Sequence, residues 1–332
     1  MEKIRKQLGQ LFILGFPGAK PPDQFLSFIS EEKIGGVILF EENCPGYQAT
    51  LENIETIRRA LQPDNPFIAI DQEGGRVCRL RGAPAEYQAA ADYGQLGNVE
   101  RFTEDYSRSA GYMESLGINL NFTPVADIFL NPANSCLAGR CFGDNPELVS
   151  RFVLASIQVS NANGLLSCAK HFPGLGDTGF DPHIATAESD YDQFVWNQRE
   201  KVPFSVAIKA GVDLIMTTHL RLPKLDSKIV TGSSKIINTL LRGELDFDGP
   251  VITDDLTMAG ADELGSFGER TVAAFQAGHD MLLYGRNYEA SMEAFDYFVE
   301  SVDRGEIDHA RLRSSLQRVG GLKYKLERSL LR

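Results

Sequence analysis

The segment KHFPGLGDTGFDPH, Lys170 to His183, places a cation and an imidazole (Lys170, His171) at the end of an apolar run. A Gly/Pro loop follows that carries Asp181 and His183 one residue apart. A carboxylate so close to an imidazole can hold one ring nitrogen and leave the other free to shuttle a proton. Nowhere else in the chain are groups that titrate near neutrality packed so densely with so little apolar cover. Taken singly, Asp181 and His183 also fit a simple loop turn with an Asx-type bond and an exposed ring. The neighbouring Lys170-His171 pair favours the chemical reading.

Further polar groups stand at the ends of other apolar runs. They are Asp71, followed by Glu73-Gly74-Gly75-Arg76 and Arg79, then Asp127, His219 and the pair Asp254-Asp255. Asp254 follows Val251-Ile252 in PVITDDLTM, where a strand-borne carboxylate could attack an anomeric carbon and leave a covalent glycosyl intermediate. The competing role is a structural Asp capping the next helix. Asp255 fits that role at least as well, which leaves Asp254 for the site. Lys170 and Arg79, if inside a cleft, would donate to sugar hydroxyls. Their alternative is an ion pair with Asp71 or Asp127. His279 and His309 read as structural, and Cys168 as core.

The runs that carry these groups are Leu11–Phe16, Ile34–Phe40, Phe67–Asp71, Ile118–Val125, Leu165–Lys170, Leu214–Thr218, Val251–Asp254 and Met281–Tyr284. Each is short and nearly all apolar, as a parallel strand buried on both faces should be. Amphipathic segments lie between them. Val99, Phe102, Tyr106, Ala110 and Met113 keep a 3.6-residue period between the N-cap Asn98 and the closing Gly117. Asn145-Pro146 starts a second helix with Val149, Phe152, Val153 and Ile157 on one face. A third begins near Asp308 and buries Leu312, Leu316 and Val319. Eight strands alternating with helices predict a single (β/α)8 TIM-type barrel spanning 1–332 as one catalytic domain. The rival, an open doubly wound sheet, lacks a glycine fingerprint after the first strand. A barrel active site lies at the carboxyl ends of the strands, where the polar groups fall.

The 332 residues, 43% hydrophobic and 23% charged, supply ample material for a core, and the net charge of −12 would repel nucleic acid and anionic lipid. A small neutral substrate is indifferent to that field. No apolar run has the length of a membrane span or a signal core. Cys44, Cys78, Cys136, Cys141 and Cys168 form an odd set without a CxxC pair, which points to reduced thiols and a cytoplasmic setting. Oligomeric state is not legible.

KHFPGLGDTGFDPH resembles the signature of the family-3 glycoside hydrolases that act as β-N-acetylglucosaminidases. The resemblance extends to AIDQEGGRVCRL (69–80), NFTPVADI (121–128), GRCFGDNPELV (139–149), MTTHL (216–220) and DFDGPVITDDLTMAGA (246–261), in matching order. It implies a single-domain barrel and a retaining mechanism without cofactor or metal. Asp254 would be nucleophile, His183 general acid/base and Asp181 its partner. Asp71, Arg79, Arg140, Lys170 and His171 would hold the N-acetylglucosamine ring. Compact members of the family commonly process muropeptides in bacterial cell-wall recycling, and relatives accept chitin-derived sugars. The family usually has Ser or Thr between the dyad residues. Here Pro182 removes a hydroxyl and a backbone N–H and pushes Asp181 toward extended geometry, so a dyad on a stiffer loop is expected. Two other classes stay open: a metal-dependent barrel hydrolase using His171, Asp177, Asp181, His183 and His219, and a non-catalytic sugar-binding barrel.

Overall fold

An apolar run can be buried on both faces only if helices cover one side of its sheet and neighbouring strands fill the other. That is the arrangement found. The structure, a computed structural model, describes residues 7–82, 84–179 and 186–329. The eight runs form β1 (Phe12–Leu14), β2 (Gly36–Leu39), β3 (Phe67–Ile70), β4 (Leu120–Asn121), β5 (Leu166–Phe172), β6 (Leu214–Thr217), β7 (Val251–Ile252) and β8 (Leu282–Tyr284). All are parallel, and each pairs with its successor from β1 to β7, while β8 pairs back onto β1. The bridge Ile252–Met281 joins β7 to the start of β8, with Met281 N–H donating to Val251 O at 3.0 Å. The sheet is thereby a (β/α)8 TIM-type barrel.

Strand four is shorter than its apolar run. Pro124 has no N–H to give to the ladder, so the regular strand stops at Asn121, and pairing resumes with Val125 against Lys170. A two-stranded ribbon, Ala187–Glu188 with Leu220–Arg221, lies outside the barrel; its strands are too short to carry a period.

The helices follow their caps. Asn98 accepts from Arg101 N–H, and Gly117 ends that helix in the left-handed region at φ 85°. Asn145 accepts from Leu148 N–H ahead of Pro146. The last helix, His309–Ser329, buries Leu312 and Val319 fully and Leu316 partly. Among the described residues no helix is long and apolar enough to cross a membrane, and the five cysteines are buried.

The face opposite the strands' carboxyl ends is locked by Asp280, which is fully buried just before β8. Its carboxylate accepts from Arg242 at 2.6 Å, Arg311 at 2.9 Å, Ser315 at 2.7 Å and the Val251 amide at 3.0 Å. Burial alone would raise its pKa, but Arg311 and Arg242 outweigh that and hold it below the usual range. Asp280→Ala should lower the unfolding free energy by about 1–3 kcal/mol, because it strands partly buried guanidinium groups. A carboxylate with a depressed folded pKa stabilises above its unfolded value, ~3.9, and that contribution is lost as pH falls through the folded value. Urea melts of the variant and wild type should therefore differ most near neutrality and begin to converge only as pH falls below about 4. A gap independent of pH would contradict this role.

Candidate functional site

At the carboxyl ends of the strands lies a cavity of about 520 Å³, lined by Asp71, Glu73, Arg79, Arg140, Lys170, His171 and Asp254, among others. Lys170 and His171 are consecutive, yet both reach it. The register of β5 against β6 breaks between Ala169 and Phe172, where the Lys170–His171 peptide is cis. Lys170 Nζ donates to Asp71 Oδ1 at 2.7 Å and to Glu73 Oε1 at 2.6 Å. Arg79 Nη2 approaches the other Asp71 oxygen at 3.5 Å. Arg140 grips Glu73 with two parallel bonds of 2.8 Å. His171 donates from Nδ1 to Asp127 at 2.6 Å, which turns Nε2 toward Arg140 at 3.4 Å.

These groups are nearly dry, with the Lys170 and Glu73 side chains each 2% exposed. Burial pushes the Glu73 carboxyl up, but Arg140 and Lys170 together overcome it and hold it well below the usual carboxylate range. Burial acts on Asp71 in the same direction, and Lys170 with Arg79 reverses it. Lys170 in turn is disfavoured by burial and held ionised by Asp71 and Glu73. A chain of alternating charges, Arg79–Asp71–Lys170–Glu73–Arg140, thus presents fixed donors and acceptors to one wall of the cavity.

Gln72, fully buried, explains how the loop after β3 delivers both Glu73 and Arg79. Its Oε1 accepts from the amides of Arg79 and Leu80 at 2.8 and 3.1 Å, and its Nε2 donates to Leu80 O and Ala85 O at 3.2 and 3.1 Å. Gly174 and Gly176, after His171, are close-approach positions. A Cβ on Gly176 would lie 1.7 Å from Ile128 O, and Gly176 O accepts from the amides of Leu130 and Asn131 at 3.1 Å.

Asp254 stands two residues past β7 and lines the cavity, with its Oδ1 accepting from the Asp255 amide at 2.8 Å. Asp255 accepts from Thr257 N–H and Oγ1–H at 2.9 and 2.8 Å in a local turn. It does not cap the next helix as expected, because Ala259–Leu264 follows Met258 without a side-chain cap and the helix after it is capped by Ser266. Lys170 and Arg79 pair with Asp71 rather than Asp127, whose carboxylate is taken by His171 and the Leu175 amide at 2.7 Å. Asp181, Pro182 and His183 lie outside the described residues. Asp177 accepts from Arg199 at 2.9 Å, and both ring nitrogens of His219 are engaged, with Thr231 and with Asp255 O. The described members of the metal-ligand alternative are thus committed to other partners, and the described residues contain no cluster of three or more metal-binding side chains. Cys168 is buried with its thiol pushed up by burial, and His279 is buried at a pKa lowered by burial to about 4.

The sequence profile of the glycosyl hydrolase family 3 N terminal domain matches residues 3–322. The chain belongs to glycosyl hydrolase family 3. It is 35% identical over 93% of its length to beta-hexosaminidase A of Pseudoalteromonas piscicida and spans 56% of that protein. Among solved structures it is similar to a glycoside hydrolase family 3 beta-N-acetylglucosaminidase from Paenibacillus sp. str. FPU-7, with TM-score 0.94 and 33% identity, covering 97% of this chain and 62% of that one. It is also similar to a beta-N-acetylhexosaminidase from Beutenbergia cavernae DSM 12333, with TM-score 0.89 and 28% identity, covering 96% of this chain and 98% of that one. The chain therefore spans just over half the length of some relatives and nearly all of another.

Within this family 3 barrel, Glu73 is the group that residue-level reading passed over. It was visible only as an acid in a glycine-rich loop, and nothing in its spacing announced that two cations would converge on it. Glu73→Gln should lower the unfolding free energy by roughly 1–3 kcal/mol, since Lys170 and Arg140 then lose their shared anion in a dry site. An unchanged urea midpoint would contradict the central place of Glu73.

Proposed function

We propose that this chain is a retaining exo-β-N-acetylglucosaminidase that removes a terminal β-linked N-acetylglucosamine through a covalent glycosyl-Asp254 intermediate. The observation that carries the reading is Asp254 lining the same cavity as the Lys170–Asp71–Arg79 chain of charges. A carboxylate at a rigid strand end faces a wall of fixed polar groups that can hold sugar hydroxyls, as a double displacement requires. Asp71, Arg79, Arg140, Lys170 and His171 are assigned to that wall. A cavity at the mouth of a filled barrel suits a chain end rather than the middle of a polymer. Family membership, and the beta-N-acetylglucosaminidase named among similar structures, support this substrate.

In the first half of the reaction His183, kept cationic by Asp181, protonates the glycosidic oxygen while Asp254 attacks the anomeric carbon from the opposite face. In the second half, neutral His183 takes a proton from water as the water attacks the glycosyl ester, and the sugar leaves with its configuration retained. A cationic acid is attracted to the anionic nucleophile, where a second carboxylate would be repelled. The aglycones that fit this reading are muropeptide fragments or chitin-derived sugars. The five buried thiols suit action in the cytoplasm, by one catalytic barrel over 1–332.

Asp254→Asn should abolish release of nitrophenol from nitrophenyl β-N-acetylglucosaminide, and an untouched rate would refute the assignment. His183→Ala should lose roughly 10²–10⁴-fold on substrates with poor leaving groups and less on activated aryl glycosides in the glycosylation step. Equal losses on both would count against the acid role. A panel of nitrophenyl sugars assayed with and without chelator and phosphate tests sugar choice, metal independence and acceptor together.

A further inference from the structure

The loop after β6 carries His219, a fully buried imidazole that is not part of the cavity wall. β6 and β7 pair through Ile215–Val251 and Met216–Ile252, and three residues further along that register His219 stands level with Asp255. Regular strand pairing has ended by then, and the side chain takes over its work. His219 Nε2 lies 2.9 Å from the main-chain oxygen of Asp255, the residue directly after Asp254. A carbonyl only accepts, so Nε2 carries the proton. Nδ1 lies 2.7 Å from Thr231 Oγ1, in the Val230–Gly232 turn. Burial disfavours the imidazolium more strongly than the neighbouring Asp254 charge favours it. With the proton on Nε2 donated to Asp255 O, the bare Nδ1 of the neutral ring accepts from the Thr231 hydroxyl, whose other acceptor, Thr218 O, is farther away at 3.3 Å.

The other side of the segment is tied to β8. Leu283 N–H donates to Thr253 Oγ1 at 3.0 Å, and Leu256 N–H donates to Leu283 O at 3.0 Å. Asp254 thus sits between two hydrogen bonds on the β8 side and one imidazole on the β6 side. Removing the imidazole frees one side and leaves the sugar-holding wall of Asp71, Lys170 and Arg140 untouched.

We propose that His219 is a positioning residue for the nucleophile: through the Asp255 carbonyl it fixes where the Asp254 carboxylate stands at the cavity. The inference rests on the role proposed for Asp254. A carboxylate displaced by a fraction of an ångström still allows the sugar to bind but attacks it less often, so the loss should fall on kcat.

The test is the steady-state kinetics of wild type, His219→Leu, His219→Gln and Thr231→Val on nitrophenyl β-N-acetylglucosaminide, with thermal melts alongside. His219→Leu should lower kcat by about 10–100-fold with KM changed less than about threefold. His219→Gln, whose amide N–H can reach the same carbonyl, should restore most of that loss. Thr231→Val, which unties Nδ1, should fall between wild type and His219→Leu. A merely structural role would lower the melting temperature without the kcat-only loss or the rescue by Gln. Unchanged kcat in His219→Leu, a loss confined to KM, or no recovery in His219→Gln overturns the inference. If His219→Leu fails to fold, Thr231→Val decides: lowered kcat at unchanged KM supports the clamp, and unchanged kcat overturns it. An active wild type whose variants match it sinks the role of His219 alone, whereas a wild type without turnover sinks the proposed activity and this inference with it.

Discussion

Glu73 is held in a dry pocket between a lysine at 2.6 Å and an arginine that grips it twice at 2.8 Å, and the rest of the cavity wall is organised around that contact. Without the carboxylate, Lys170 and Arg140 would be like charges brought together out of water. With it, Lys170 is free to turn its other bond to Asp71, which draws in Arg79. Five charged groups from three separate segments thereby become one rigid array. Preorganisation of this kind lets a site hold a polar substrate without reorganising its own dipoles at each turnover.

The barrel makes such an array affordable in structural terms. Asp71 and Glu73 come from the end of β3, Lys170 from β5, and Arg140 from the segment after β4, so sequence separations of 67 and 99 residues collapse to hydrogen-bond distance. Asp254 arrives from β7, across the same mouth. Asp280 at the far face and the buried Gln72 beneath the loop after β3 are not part of the chemistry. They fix the strand ends and the loop from which the chemistry projects.

Much of this was legible in the residues. All eight strands could be placed because buried parallel strands are short and uniformly apolar, and helix ends because Asn98, Asn145 and Gly117 are strong local signals. The helix-capping role expected of Asp255 did not materialise: its carboxylate closes a local turn on Thr257, and Ser266 caps the α-helix that follows. Less legible was anything that depends on three dimensions. Asp127 reads as one more strand-end carboxylate, but it orients His171 and does not pair with Lys170. Glu73 has no periodic or motif-level mark of its own. The partners of His219, twelve and thirty-six residues away, come together only once β6 and β7 are in register.

The central claim is that Asp254 forms the covalent bond to the sugar. A fluorinated N-acetylglucosaminyl fluoride, which glycosylates a retaining enzyme readily but is released slowly, tests it by mass spectrometry of the intact and digested protein. The account predicts one sugar per chain, carried on the peptide that contains Asp254. A sugar found on another residue, or steady turnover of nitrophenyl β-N-acetylglucosaminide with no trapped adduct, would contradict it.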